Sequence, residues 1–457
     1  MLVGIVRNRL NKDPDRPIKE RSKIYLLSML CHFNGIESFV FYEDGVDLDN
    51  KTIKGFFFDP VLAEFVEKET RYPDIVDSDC TVRWKQPQIF ESLFSNCAFI
   101  YTRRLNKERV HAILQKSDCY NYNIQSYYYK NSKLDQHILN HKTVIVKPSE
   151  GSKGRGVHKI SLNLPDTKVG AKSISNMKSL FGKKYIVEVN RTKTKMSQKK
   201  FDVQCTAAFL TESHIVQEYV NSTTKEGAPF DIRVESRRGA DGKWNFVRSY
   251  VKVGNKEGVV SNVAMGGFVT LGTKQFLTNE FGADSKRIYR QLMHIADKIP
   301  KVIQKSTVRF IPTITVDVGI NRDNNNQIKI FEVNTGAATT NVFSVMHESC
   351  LRIDCYKYMY TIKDTLLERQ SKFEIDYTDT FMFRLSGESD DGIKDDEGMI
   401  SQEEVNFIDA ANSGGGVAIE QENNADDLSE MGDIASEDDA YENNNINNED
   451  KNNLLTD

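Results

Sequence analysis

The chain has 457 residues, 39% apolar and 28% charged, enough for roughly three domains, and its formal net charge is -4. That charge averages two unlike pieces: residues 386–457 hold 22 Asp and Glu against two Lys, which leaves residues 1–385 at +16. The N-terminus lacks the order of a secretory signal, no run of about 18 apolar residues occurs, and the seven cysteines are scattered without a C-x-x-C pair, so export, a membrane span, a disulfide framework and a structural zinc site are not expected.

A reducing cytosol fits this cysteine usage. To about residue 96, short apolar runs (2–6, 38–42, 55–58) alternate with an amphipathic stretch over 24–33, the pattern of a small α/β domain. Residues 106–114 read as a helix with Val110, Ile113 and Leu114 on one face and Asn106 as its cap. Residues 143–146 read as a buried strand, followed by Lys147-Pro148, a glycine loop, and a second strand carrying Val157, Ile160 and Leu162. Strands are expected over 214–220 and 229–234, and 260–267 is a loop of small residues that lines a pocket or simply turns the chain. Ile288, Leu292, Ile295, Ile299 and Val302 recur at helical spacing over 284–303, and Pro300 is expected to end or kink that helix. A hairpin is expected over 315–320 and 327–336, then a second long helix over 342–373. From residue 386 the chain is rich in Asp, Glu, Asn, Gly and Ser, and cannot bury enough apolar surface to offset its ordering entropy. Three parts follow: an N-terminal α/β domain (1–96), a larger domain (97–385) and a disordered acidic tail (386–457).

The segment Lys147-Pro148-Ser149-Glu150-Gly151-Ser152-Lys153-Gly154-Arg155-Gly156 sets its glycines in G-x-x-G-x-G spacing, so backbone N–H groups can approach an anion closely. It is neither a Walker A loop nor a Rossmann loop. A flexible basic hairpin would look the same, but Lys147 at the end of a buried strand calls for an anionic partner, and a nucleotide phosphate is one. In the later hairpin Asp317 lies opposite the apolar face, and Glu332 and Asn334 share one face because side chains repeat every two residues. Two carboxylates and an amide oxygen are hard ligands suited to Mg²⁺, or to Mn²⁺; they would equally make the polar face of an ordinary hairpin. The backbone around Glu218, Tyr219 and Val220 would meet an adenine edge or be only a strand. Asp231 and Arg233 share a strand face, where the Arg would clamp a phosphate or carboxylate or form a surface ion pair.

The order of these pieces resembles the ATP-grasp superfamily and, more narrowly, the YheC/YheD family of endospore coat-associated ATP-grasp proteins, over about residues 1–370. The residues that carry it are Asn106-Lys107, Val146-Lys147-Pro148 with the glycine loop, Phe230-Asp231-Ile232-Arg233, Ser261-Asn262 with Gly266-Gly267, and Asp317 with Glu332-Val333-Asn334. The resemblance implies an α+β ATP-grasp fold with ATP held between two subdomains. It makes Lys107 and Lys147 phosphate contacts, puts Gly151, Ser152, Gly154 and Gly156 in a mobile lid, and sets Gln217, Glu218, Tyr219 and Val220 at the adenine. Arg233 becomes a phosphate or acyl-phosphate contact, and Asp317, Glu332 and Asn334 become Mg²⁺ ligands. The activity implied is an ATP-dependent carboxylate-amine ligase acting through an acyl phosphate on an amino acid or peptide, with spore coat proteins as partners. A nucleotide-binding structural coat protein is the alternative. No aromatic-basic motif supports nucleic-acid binding by the basic body. In one place the chain departs from the family: after Tyr72-Pro73-Asp74-Ile75-Val76 the pattern leads to Tyr-Asn-Arg, whereas here Asp77-Ser78-Asp79-Cys80 follows. One possible anion contact is thereby missing, and the sequence leaves open whether Arg83 substitutes for it.

Overall fold

The run Leu2–Val6 is apolar and buried at every position, as a strand covered on both faces must be. In the computed structural model this is β1 of a six-stranded sheet ordered β4-β3-β2-β1-β5-β6. The structure describes residues 1–7, 18–78, 84–101, 107–129, 131–149, 156–162, 184–189, 191–211, 213–261, 266–306, 310–335, 342–376 and 382–385. Residues 1–412 form one compact unit and 413–457 another; every described residue belongs to the first. Asn106, Gly151, Ser152, Gly154, Asn262, Arg83 and the acidic tail lie outside the described residues.

In the first sheet β1 is followed by α1 (Ile18–Phe33), β2 (Glu37–Asp47), β3 (Thr52–Asp59), β4 (Glu64–Arg71), β5 (Ile75–Ser78), α2 (Pro87–Asn96) and β6 (Ala98–Tyr101). β1 is parallel to β2 and β5, and β5 to β6, so the first sheet reaches Tyr101, beyond the expected boundary at residue 96. Its period of two sends Val3 and Ile5 to a core with Leu27 and Cys31 of α1, and Leu2 and Val6 to one with Ile89, Phe90 and Leu93 of α2.

The second sheet is ordered β11-β10-β9-β8-β12-β7. Its elements are α3 (Lys107–Gln115), β7 (Ser126–Tyr128), α4 (Asn131–His141), β8 (Thr143–Pro148), β9 (His158–Leu162), β10 (Lys184–Val189) and β11 (Thr192–Ser197). Then α5 (Gln198–Phe201) passes through a π-helical turn, Asp202–Thr206, into α6 (Ala207–Thr211) and β12 (His214–Glu218). One face packs Val144, Val146, Ile160, Val187 and Val216 against Leu134 and Ile138 of α4 and Phe201 and Phe209 of the α5–α6 segment. Alternation therefore turns Ile145, Lys147, Ile215 and Gln217 to the opposite face, where α3 lies.

The third sheet, β15-β14-β13-β16-β17, is antiparallel throughout and comprises β13 (Phe230–Arg238), β14 (Trp244–Val253), β15 (Phe268–Thr270), β16 (Thr313–Asn321) and β17 (Gln327–Asn334). Between β15 and β16 run α7 (Thr273–Phe281) and α8 (Ser285–Lys305). Its apolar face, with Ile232, Val251, Val316, Val318 and Ile330, packs on Ile288, Leu292, Ile295 and Ile299 of α8 and on Val110 and Leu114 of α3. After it come α9 (Val342–Thr361), α10 (Lys363–Gln370) and the pair β18 (Phe373–Asp376) and β19 (Met382–Leu385).

Two helices end elsewhere than expected, each for a visible reason. Pro300 lies inside α8, which runs on to Lys305. Proline has no N–H for the Ala296 carbonyl one turn back, and the Ser236 hydroxyl donates to that carbonyl at 2.7 Å instead. The single helix expected over 342–373 is two: Ile362 leaves helical dihedrals (φ -109°, ψ 17°) and packs on the α1 side of the first sheet, and Phe373 begins a strand.

Helix α9 is tied to the first sheet at Asp77, where the departure from the resembled pattern begins. The Arg352 Nε lies 2.9 Å from an oxygen of the buried Asp77, and the Tyr356 hydroxyl donates to the same carboxylate. Asp77 is thus held by an arginine and a tyrosine of α9. Tyr356→Phe removes one donor while Arg352 still holds the charge, so a loss of about 1–2 kcal/mol in urea unfolding is expected, with an unchanged denaturant slope. A midpoint equal to that of the wild type would show that this hydrogen bond contributes nothing.

Candidate functional site

The third sheet turns an unusually charged face away from its core. Because Ile232, Val251, Val316 and Val333 point inward, Asp231 and Arg233 (β13), Tyr250 and Lys252 (β14), Asp317 (β16) and Glu332 and Asn334 (β17) share the outer face. Arg233 donates from Nε and Nη2 to the two oxygens of Asp317, 2.6 Å each, a bidentate fork across adjacent strands. Lys252 lies 2.7 Å from Asp231 and 3.2 Å from Asp317, and the Ser261 hydroxyl donates to Asp231. Asp231 and Arg233 share a face as expected, yet each is paired across the sheet rather than with the other. Burial disfavours the charge on Asp317, but Lys252 and Arg233 outweigh it and hold the carboxyl below its ordinary range. For Asp231 burial wins, with Asp317 adding to it, and the carboxyl is pushed up to about 6 despite Lys252.

Asp317 faces Glu332 and Thr315 faces Asn334 across the β16–β17 pair, with a bulge directly after Asp317 that makes Phe331 the extra residue. Gly319 is required here: a Cβ would come 2.1 Å from the Phe331 ring, which lies across it. Among the described residues no group of three or more His, Cys, Asp or Glu is arranged to hold a metal, so a site here rests on two carboxylates and one amide. Arg233 and Lys252 leave the Asp317 oxygens with further lone-pair capacity, and the set remains all hard oxygen, so the residues fit Mg²⁺ or Mn²⁺.

Lys147, on β8, faces this charged surface from the second sheet. Burial, then the neighbouring Lys107 at the start of α3, push its ammonium down to about 8, with Glu332 pulling the other way. Lys107, Lys147 and Glu332, separated widely in sequence, are therefore near enough to act on one another electrostatically. Of the glycine loop, Gly156 is described: its φ of +71° closes the loop, and a Cβ there would meet Pro148 at 3.0 Å.

Gln217 and Glu218 end β12, and Tyr219 and Val220 follow it. Gln217 is 3% exposed on the Lys147 face. Its Nε2 lies 2.8 Å from His111 Nε2 and 2.7 Å from Ser126 Oγ. Glu218 approaches His141 at 3.7 Å and Lys329 at 3.9 Å. The Lys159 ammonium sits 4.2 Å from the centre of the Tyr219 ring, and the Tyr219 N–H is occupied by the Thr143 carbonyl. Val220 is buried, its carbonyl accepting from the Ser222 N–H. Beyond β7 a cavity of about 590 Å³ is lined by His111, Asn123, Ser126, Tyr128, Glu218 and Lys329 among others.

Sequence reasoning missed Lys252, His111 and Asn123. Lys252 was detectable as the polar member of an alternating Tyr250-Val251-Lys252-Val253 run. His111 follows Lys107 by one helical turn, on the same helix face. Asn123 carries no local signal.

A family model described as YheC/D-like ATP-grasp matches residues 96–360, more than half of the chain. The endospore coat-associated protein YheC of Bacillus subtilis (strain 168) is 30% identical over 134 residues, 29% of this chain and 33% of YheC. The match therefore spans only about a third of that relative. YheD of the same organism, also an endospore coat-associated protein, is 23% identical over 362 residues, 73% of this chain and 72% of YheD. Among solved structures, that of the D-cycloserine synthetase DcsG is similar at 12% identity and a TM-score of 0.40, over 78% of this chain and 99% of that one. Among the described residues no helix is long and apolar enough to cross a membrane. With the family model covering Lys107 and Lys147, strand β12, the charged sheet face and the Asp317–Asn334 hairpin, the chain belongs to the YheC/D-like ATP-grasp family.

Proposed function

We propose that the protein is an ATP-dependent carboxylate-amine ligase working in the cleft between the second and third sheets. The observation that carries this reading is Lys147, whose charge burial disfavours, with the ammonium of Lys107 adding to that and Glu332 acting against it. An anionic ligand would offset the charge on Lys147, and a polyphosphate supplies several charges at once. Gln217 to Val220 would hold the adenine, and Gly151, Ser152, Gly154 and Gly156 would close over the phosphates.

In this reading Asp317, Glu332 and Asn334 would hold Mg²⁺, which would supply positive charge to offset that of the phosphates. The substrate carboxylate oxygen attacks the γ-phosphorus, and ADP departs. Lys107 and Lys147 keep the polyphosphate in line, and the guanidinium donors of Arg233 not used by Asp317 face the acyl phosphate as it forms. An amine then attacks the acyl carbon, phosphate leaves, and the amine proton passes to solvent. Asp317 holds Arg233 in position throughout, so the cation needs no rearrangement as charge develops. An amino acid or peptide as substrate, and coat proteins as partners in the cytoplasm or at a spore coat, belong to the same proposal; the names of YheC and YheD are their support.

The test is ADP release by purified protein with Mg²⁺-ATP, screened against pools of amino acids, peptides and small carboxylic acids. Substrate-dependent ADP that disappears in Glu332→Ala is the expected result. Tight Mg²⁺-dependent ATP binding without turnover across the whole screen would favour a nucleotide-binding structural protein. No ATP affinity at all would sink the phosphate and metal assignments together.

A further inference from the structure

The hydrogen bonds around Gln217 have only one consistent direction. The His111 carbonyl, an acceptor only, lies 3.0 Å from Asn123 Nδ2, so the Asn123 amide nitrogen faces it and Oδ1 faces the ring of His111. Asn123 Oδ1 is 2.7 Å from His111 Nδ1, which must therefore carry the ring proton. That leaves Nε2 with a bare lone pair, and its partner at 2.8 Å must be a donor: the Gln217 amide nitrogen. From the other side the Ser126 hydroxyl donates to the Ile124 carbonyl at 3.0 Å, so it accepts the second Gln217 N–H at 2.7 Å. Both amide hydrogens of Gln217 are thereby fixed by a chain anchored at each end on a backbone carbonyl. Burial, with Lys147 and Lys107 nearby, pushes the His111 imidazole down to about 4 against the pull of Asn123, so it stays the neutral ring this chain requires.

Oε1 is the one polar atom of Gln217 left over. Among the described residues no donor reaches it, although the side chain is 3% exposed and leaves β12 on the face that carries Lys147. An acceptor held there with no partner is complementary to an N–H donor on a ligand. Resting on the nucleotide site proposed above, we infer that His111 is a positioning residue: with Ser126 it holds the Gln217 amide so that Oε1 accepts from the exocyclic amine of a 6-aminopurine and rejects a 6-oxopurine. Adenine offers a donor at that position and guanine an acceptor. A freely rotating glutamine would accommodate either base by turning its amide over; the lock on Gln217 removes that choice.

The test is the dissociation constants of ATP and GTP, measured calorimetrically with Mg²⁺ on the full chain. In His111→Phe, which keeps a ring but has no acceptor, the ratio of GTP to ATP constants is expected to fall about tenfold or more. His111→Gln, which can return an oxygen near the Nε2 position, is expected to restore the ratio. Ser126→Ala removes the other acceptor without touching the histidine, and is expected to move the ratio in the same direction as His111→Phe if the latter does not fold. Imidazole ¹⁵N shifts of the wild type should show the neutral Nδ1–H tautomer near neutral pH. Wild-type discrimination in folded His111→Phe or Ser126→Ala, or the opposite tautomer, overturns the inference. Wild-type protein that binds neither nucleotide overturns the nucleotide site itself, and the tautomer then decides whether the lock on Gln217 exists.

Discussion

Lys147→Met is expected to make the ligand-free protein more stable while removing most of the stabilisation that Mg²⁺-ATP gives the wild type. The folded protein holds this ammonium at about 8 instead of the ordinary 10.5, because burial and Lys107 both oppose its charge. Below pH 8 lysine is charged in both the folded and unfolded chain, so the full cost is present, on the order of 1–3 kcal/mol. Between 8 and 10.5 the folded chain releases the proton first, the unfolded chain binds more protons, and stability rises with pH. The wild type should therefore gain on the Met variant across that window and trail it below. A bound polyphosphate reverses the balance by giving the charge its partner. Thermal melts of both proteins below pH 8 and up to about 10.5, with and without Mg²⁺-ATP, check this. A variant no more stable than the wild type near neutrality, or one that ATP protects equally well, would refute the role given to Lys147.

Asp317→Ala is expected to cost about 3–5 kcal/mol in urea unfolding, since it strands the Arg233 guanidinium and leaves Lys252 with Asp231 alone. Glu332→Gln should stay within about 1 kcal/mol of the wild type, because the half-buried Glu332 holds no ion pair among the described residues. Both should lose Mg²⁺-dependent nucleotide binding. The two carboxylates face each other across one strand pair, so their separation into a structural and a functional loss would be informative. If Asp317→Ala unfolds like the wild type, the fork with Arg233 does not form in solution.

The charged sheet face and Lys147 were legible because they sit on strands whose apolar residues alternate. Val144 and Val146 announce β8 and so place Lys147; Val316, Val318 and Ile320 announce β16 and so place Asp317. What period two cannot reveal is which strand lies next door. Asp231 and Arg233 look like a pair in sequence, yet side chains two apart on a strand stand about 6.6 Å from each other, farther than direct cross-strand neighbours at about 5 Å. Arg233 therefore chose Asp317, 84 residues away. His111 was visible as a helical neighbour of Lys107, but its partner Gln217 is 106 residues distant. Strand β11 escaped notice because Thr192-Lys193-Thr194-Lys195 carries no apolar member until Met196. That the helix runs on past Pro300 was not legible, because the Ala296 carbonyl is satisfied by Ser236, from a strand that no helix rule includes. The register shift after Asp317 is likewise invisible in the strand pattern.

The ring of Phe331 lying across Gly319 ties heredity at two positions together. A side chain gained at 319 would have to displace the ring, which belongs to the extra residue of the bulge after Asp317. Neither residue is among those assigned to phosphate or metal, yet position 319 cannot gain a side chain while the ring stays where it is. Across relatives a side chain at 319 should appear only with a change at 331, a constraint inherited from the hairpin's geometry rather than from the chemistry it supports.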